Sequence, residues 1–250
     1  MVDLKELRIK NIEQTKEKIK QSVDFNDFIV QSINNIDDIN RAANTLVKRL
    51  REWYELYNPE FSRKTTEHEI FVEKIISEKD EKEEGSMGSD LSKEDLKPIL
   101  VLADEINNLY KLKQHQESYL EKLMQTNCPN ITAVAGALIG ARLIAIAGDL
   151  RRLIGFPAST VQLLGAEKAL FRHMKNKKSL PPKYGVIIKH PLVEKANKKI
   201  VGKVSRALAD KISLASKIDY FKGEFIGDKL RKDLEERFKW NPQNFQESVK

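Results

Sequence analysis

Between Ile29 and Tyr57 the apolar residues fall at alternating steps of three and four: Ile29, Ile36, Ile39, Ala43, Leu46, Leu50, Trp53 and Tyr57, with Ser32 in the one polar slot. A spacing that averages about 3.5 residues holds one stripe of an α-helix on one side, so this segment must bury its stripe against another helix. Asn58 and Pro59 end the pattern, because proline lacks an amide hydrogen and restricts the residue before it.

A second run, Ile99, Leu102, Ile106, Leu109, Leu120 and Leu123, has the same spacing but carries Lys113 and Gln116 at two seam positions. Between the runs lies SEKDEKEEGSMGSDLS, in which only Met87 and Leu91 are apolar. That composition cannot fill a core and predicts a mobile tip at about residues 77–92. Two heptad helices joined through a solvated tip fold back most simply as a pair. The expectation is therefore a long antiparallel coiled-coil hairpin over 25–126, with Ile36, Ile39, Ala43, Leu46, Leu50, Ile106 and Leu109 in its seam. Residues 1–24 form a charged connector helix in this reading.

From Asn127 onward the texture changes. NCPN reads as a turn, and an apolar helix is expected over 131–147. Gly155 and Pro157 break the helical pattern, SLPPKYG is a rigid loop, and Val186–Ile188 allow a short strand or extended piece. Helices are expected again at about 193–215 and 227–238. The chain thus reads as all-α, with a globular helical domain over 127–240 and a tail over 241–250.

The formal net charge of +7 conceals a division. Residues 1–130 hold 20 Lys and Arg against 26 Asp and Glu, whereas 131–250 hold 24 against 11. A basic half of that size suits a polyanion such as nucleic acid or an anionic membrane surface. A single cysteine, Cys128, excludes an internal disulfide framework and an all-cysteine zinc site. The most apolar stretch, Ile131–Ile146, contains Arg142 and falls short of the roughly 20 apolar residues that a spanning helix needs.

No catalytic constellation is present. The histidines His68, His115, His173 and His190 form no HExxH and no zinc-ligand spacing with cysteine, and no GxxxxGK[ST], GxGxxG or GxSxG occurs. Cys128, ahead of Pro129 and an apolar helix, reads as a buried small hydrophobe in preference to an activated thiol. No metal site and no bound cofactor are expected.

The basic block is more specific. Gly165–Lys217 hold 14 basic residues against Glu167, Glu194 and Asp210. Lys168, Arg172 and Lys175 fall at steps of four and three, which places them on one helix face. Lys195, Lys199, Lys203 and Arg206 do the same on the helix expected later. Gly165 and Ala166 are small residues ahead of a helix, where backbone amides can face an anion. The bland alternative makes Gly165 a turn, Glu167 a first-turn residue favourable to the helix dipole, and Leu170 and Phe171 core.

GAEKALFRHMK at 165–175 resembles the signature of the Nop domain, and NITAVAGALIGARLIAIAGDLRRLIGFPASTVQLL ahead of it continues the likeness. YGVIIKHPLV and KVSRALADKISLASKIDYF are similar to that domain's later segments, and REWYELYNPEF resembles the end of the first coiled-coil helix of the archaeal Nop proteins of box C/D ribonucleoproteins. The likeness covers about residues 5–240. It implies a non-catalytic scaffold that binds the kink-turn of a guide RNA together with a kink-turn-binding, ribosomal-like protein. It further implies self-association as a homodimer through the coiled coil, in support of guide-directed ribose 2′-O-methylation of rRNA or tRNA. S-adenosylmethionine would be used by the partner methyltransferase, fibrillarin, which the family holds by a separate N-terminal domain. Met1 leads directly into the connector helix, so fibrillarin is expected as a partner of a fuller-length protein and not of this chain directly. Absence of a long lysine-rich tail favours an archaeal, hence cytoplasmic, origin.

Carried onto this sequence, the signature puts Gly165, Ala166, Glu167, Lys168 and Arg172 at the RNA surface with His173 and Lys175 close by, and Lys189, Lys199, Lys203, Arg206 and Lys211 are inferred phosphate contacts. The competing expectation is a basic helical protein that binds structured RNA or anionic membranes nonspecifically.

Overall fold

The computed structural model describes residues 4–77 and 85–238, and no β-strand occurs among them. The α-helices are α1 (Leu4–Ser22), α2 (Phe25–Tyr54), α3 (Pro59–Lys64), α4 (His68–Ser77), α5 (Lys93–Asn127), α6 (Pro129–Ala135) and α7 (Ala137–Ala147). They continue with α8 (Leu150–Gly155), α9 (Ala158–Leu163), α10 (Glu167–Lys175), α11 (Pro191–Glu194), α12 (Val201–Tyr220) and α13 (Gly227–Arg237). The chain divides into two compact units, Asn34–Tyr119 and the remainder, Met1–Ile33 with Leu120–Lys250.

In the first unit, α2 and α5 share a core with α3 and α4 that includes Ala43, Val47, Leu50, Phe71, Ile99, Ala103 and Ile106. Of the expected seam, Ile36, Ile39, Ala43, Leu50 and Ile106 are buried, whereas Leu46 and Leu109 are only partly covered. The positions repeating every seventh residue hold their places, as does Ile39, but the other intervening ones lie one residue later: Val47 and Tyr54 are buried where Leu46 and Trp53 were expected, and Ala103 and Tyr110 where Leu102 and Leu109 were. Trp53 is 39% exposed. The cause is a third neighbour: the Tyr54 ring lies 5.5 Å from that of Phe61 and 5.8 Å from those of Tyr57 and Phe71, so α3 and α4 draw the buried stripe round to their side of α2.

Local chemistry explains the α3–α4 turn. Asn58 caps α3 by accepting from the Phe61 amide, with Pro59 at the first helical position. Arg51 then closes the connection between the two helices. Its guanidinium donates to the Ser62, Thr66 and Glu67 carbonyls and to His68 Nδ1, and lies 4.1 Å from the Phe71 ring centre. Of the expected tip, residues 78–84 lie outside the described residues. Ser86 and the Met87 amide bond the Glu60 carboxylate, and the Ser89 amide donates to the Leu56 carbonyl.

In the second unit α12 is central and packs against α6, α8, α9, α11 and α13. Three expectations are corrected here. The apolar helix over 131–147 is two helices, α6 and α7, bent by 114° at Gly136, whose φ of +81° is a conformation open to glycine. Val186–Lys189 is a 3-10 turn and not a strand. The helix expected over 193–215 is interrupted at 195–200, so Lys195 and Lys199 precede α12. Among the described residues no single helix is long and apolar enough to cross a membrane, and α6 and α7 together supply buried core residues such as Ile131, Leu143 and Ile144.

Cys128 is fully buried at the start of α6. Burial, with the charge of Asp219 nearby, pushes its thiol up to about 12.

Candidate nucleic-acid interface

The residues that lead into α10 are set by a backbone clasp. The Gly185 amide donates to the Gln162 carbonyl and the Val186 amide to that of Leu164, both at 2.8 Å, and Gln162 Nε2 donates to the Lys183 carbonyl at 2.6 Å. Gly165 sits in this clasp at φ +87°, where an added Cβ would lie 2.4 Å from Val186 Cγ2. Both the backbone conformation and the space demand glycine there. Glu167 folds back so that its carboxylate accepts from the Gly165 amide at 2.6 Å. Gly165, Ala166 and Glu167 thus shape the approach to α10, and Glu167 has its carboxylate engaged within the turn.

On α10 itself, Lys168, Arg172 and Lys175 are exposed along one face and take part in no ion pair among the described residues. Beside them stand Phe171, 64% exposed, and Met174, 62% exposed. The alternative that made Phe171 core is therefore wrong; only Leu170 turns partly inward. His173 is half-buried and donates through Nδ1 to the Ser179 carbonyl at 2.5 Å, which holds the ring against the following loop.

The remaining expected residues do not form one stripe. Lys199, Lys203 and Arg206 line an open cavity of about 360 Å³, together with Lys183, Gln162, Pro182 and Gly202. Lys189 ends the 3-10 turn, is exposed, and lines no part of that cavity. Lys211 stands apart from the others: its Nζ is 2.8 Å from the Asp233 carboxylate of α13. Five residues along a helix is a rotation of about 140° from Arg206, so Lys211 faces a different neighbour. The Lys211 ammonium, as hydrogen-bond donor and opposite charge, lowers the Asp233 pKa.

Two residues that sequence reading left out belong with the cavity. Lys183 was counted in the basic block but given no role, because its place depends on the Gln162 clasp, a contact between segments 21 residues apart. Gly202 carried no signal at all in the sequence.

Residues 63–240 match the family model described as "Nop: snoRNA binding domain, fibrillarin". The chain belongs to the Nop family. Among its relatives, a NOP5 family protein of Methanocaldococcus jannaschii is 40% identical across 93% of this chain and 61% of its own length. Nucleolar protein 58 of Schizosaccharomyces pombe is 40% identical across 82% of this chain and 45% of its own, and nucleolar protein 56 of the same organism is 35% identical across 89% and 51%. The chain therefore spans between about half and three-fifths of these relatives. The crystal structure of a fibrillarin/Nop5p complex shares the fold, with a TM-score of 0.57 over 94% of this chain and 77% of that one, at 24% identity. The matched Nop segment contains α10, the clasp and the lysine-lined cavity.

Proposed function

We propose that this protein is a non-catalytic RNA-binding scaffold of a box C/D ribonucleoprotein. It binds a kink-turn of guide RNA jointly with a kink-turn-binding protein, and so supports ribose 2′-O-methylation by an S-adenosylmethionine-dependent partner, fibrillarin. It self-associates through a coiled-coil hairpin built from α2 and α5.

The observation that carries this reading is the paired surface of α10, where Lys168, Arg172 and Lys175, in no ion pair among the described residues, run beside exposed Phe171 and Met174. Lysine and arginine supply affinity for phosphates without base information. Two adjacent large apolar side chains in water are suited to a second, less polar partner. A surface of both kinds fits a target that presents RNA and protein together. Recognition of a bent stem by shape then supplies the selectivity that phosphate contacts lack.

The test is a binding series with kink-turn RNA alone, the kink-turn-binding protein alone, and the two premixed. Tight binding to the premix only is the expected result. Equal binding to unrelated duplex RNA, or to anionic vesicles, overturns it.

A further inference from the structure

None of the residues of α1 is buried, yet its apolar side chains are ordered. Ile9, Ile12, Ile19 and the following Val23, all exposed, fall together with Lys16 at alternating steps of three and four, which gathers them on one face. A solitary helix of 19 residues gains little from its own hydrogen bonds in water, so a stripe of this kind is suited to being covered. α1 also carries six Lys and Arg against three Glu. The matching cover is an apolar surface with an acidic rim.

Such a surface stands at the far end of α2. Trp53 and Leu56 are exposed about one turn apart, and Met87 is 83% exposed in the strap that bonds Leu56. The strap is pinned: Ser86 Oγ donates to the Glu60 carboxylate at 2.6 Å, the Met87 amide donates to it at 3.2 Å, and the Ser89 amide donates to the Leu56 carbonyl at 2.8 Å. Gly88 lies so close that an added Cβ would come 2.0 Å from the Tyr57 carbonyl oxygen. A large apolar side chain is thus held in water on an ordered backbone, which spares a partner the cost of ordering it. Residues 52–60 and 85–95 hold six Asp and Glu against one Lys.

Within one chain the two surfaces are too far apart. α2 has 30 residues and spans about 45 Å, whereas α1, joined to it through Val23 and Asp24, spans about 28 Å. An α1 folded back along α2 therefore falls about 10 Å or more short of Leu56. In a twofold pair the distance closes. Asn26, in the first turn of α2, accepts from the Leu150 amide, so α2 starts on the domain that carries the basic half of the chain. Parallel copies would crowd two such domains together, while antiparallel copies separate them and lay the start of each α2 beside the end of the other. Basic α1 then meets an acidic tip, twice.

We infer that the apolar stripe of α1 docks on the Trp53, Leu56 and Met87 surface of a second copy, reciprocally, and fixes the pair as antiparallel. The inference rests on the self-association reading above and adds to it a contact outside the coiled-coil seam.

The test uses Ile12→Glu with Ile19→Glu, and separately Met87→Glu, all at exposed positions, so melting temperatures should match that of the unchanged protein. Each variant should raise the dimer dissociation constant about tenfold in sedimentation equilibrium. Because Cys128 is buried, an Ile12→Cys chain and a Met87→Cys chain each carry one accessible thiol. A short bis-maleimide should join the two into a covalent dimer when they are mixed, and should join neither to itself.

If the unchanged protein and the glutamate variants dimerise equally, or if the Met87→Cys chain links to itself, the α1 contact is wrong and the coiled-coil reading stands. If the unchanged protein stays monomeric at every concentration, self-association fails and the α1 contact with it.

Discussion

Asp219, near the end of α12, closes the first turn of α6 through Asn130. One carboxylate oxygen accepts from the Asn130 amide at 3.0 Å and from its side-chain Nδ2 at 2.8 Å; the other accepts from the Ile131 amide at 2.8 Å. Asn130 Oδ1 in turn accepts from the Ile226 amide ahead of α13. One buried carboxylate thereby ties α6 to α12, 89 residues on in the sequence, and through Asn130 to the start of α13. Burial raises its pKa, and the three donors oppose that rise. Asp219→Ala leaves those donors unsatisfied and should cost about 2–4 kcal/mol in urea unfolding. A loss under about 1 kcal/mol would show that the network is incidental.

His190 predicts a pH dependence. Its Nδ1 accepts from the Leu192 amide and caps α11, which leaves the proton on Nε2. Burial is the main cause that depresses its pKa to about 4, from an ordinary value of 6.5. Between those values the unfolded chain binds a proton that the folded chain refuses, so stability falls as the pH drops from about 6.5 to 4. The loss amounts to roughly 3 kcal/mol at most. His190→Asn keeps a capping acceptor and should flatten this part of the profile in denaturant titrations.

The two faces of the basic region separate by mutation. Lys168→Ala with Arg172→Ala should weaken binding to the premixed RNA and kink-turn protein by tenfold or more in gel-shift titrations, while analytical ultracentrifugation shows self-association unchanged. Lys211→Ala should alter that affinity less than twofold, because Asp233 already engages the ammonium. Loss of an exposed ion pair costs at most about 1 kcal/mol of stability.

Arg51 makes a prediction for the other unit. Arg51→Ala removes donors to three carbonyls and a cation from the Phe71 face, and should destabilise Asn34–Tyr119 by about 2–4 kcal/mol. Hydrogen exchange should then rise in α3 and α4 and remain unchanged at α12. Uniform exchange across the chain would mean that the turn is not held by this side chain.

The all-α character, the two heptad runs and the α10 face were legible in the sequence because each is a local periodicity. Ile36, Ala43, Leu50 and Ile106 are buried as their spacing requires. What periodicity leaves out is a third neighbour: Phe61 and Phe71 turn Tyr54 inward in place of Trp53. In the candidate interface the same limit applies to charge. A run of lysines does not reveal that Asp233, 22 residues on, meets Lys211, nor that Gln162 carries Lys183 to a cavity beside Gly202. Nor does periodicity mark the positive φ of Gly136, which makes it a corner between α6 and α7.

Cys128 has a practical consequence. It is the chain's one cysteine, is fully buried, and has a thiol pushed up to about 12, so it presents almost no thiolate at neutral pH. Maleimide reagents should pass it by. A cysteine introduced at Lys177, exposed just beyond α10, would be the single reactive handle on the molecule. A fluorophore or photocrosslinker there could report directly on what approaches α10, without any other residue first being removed.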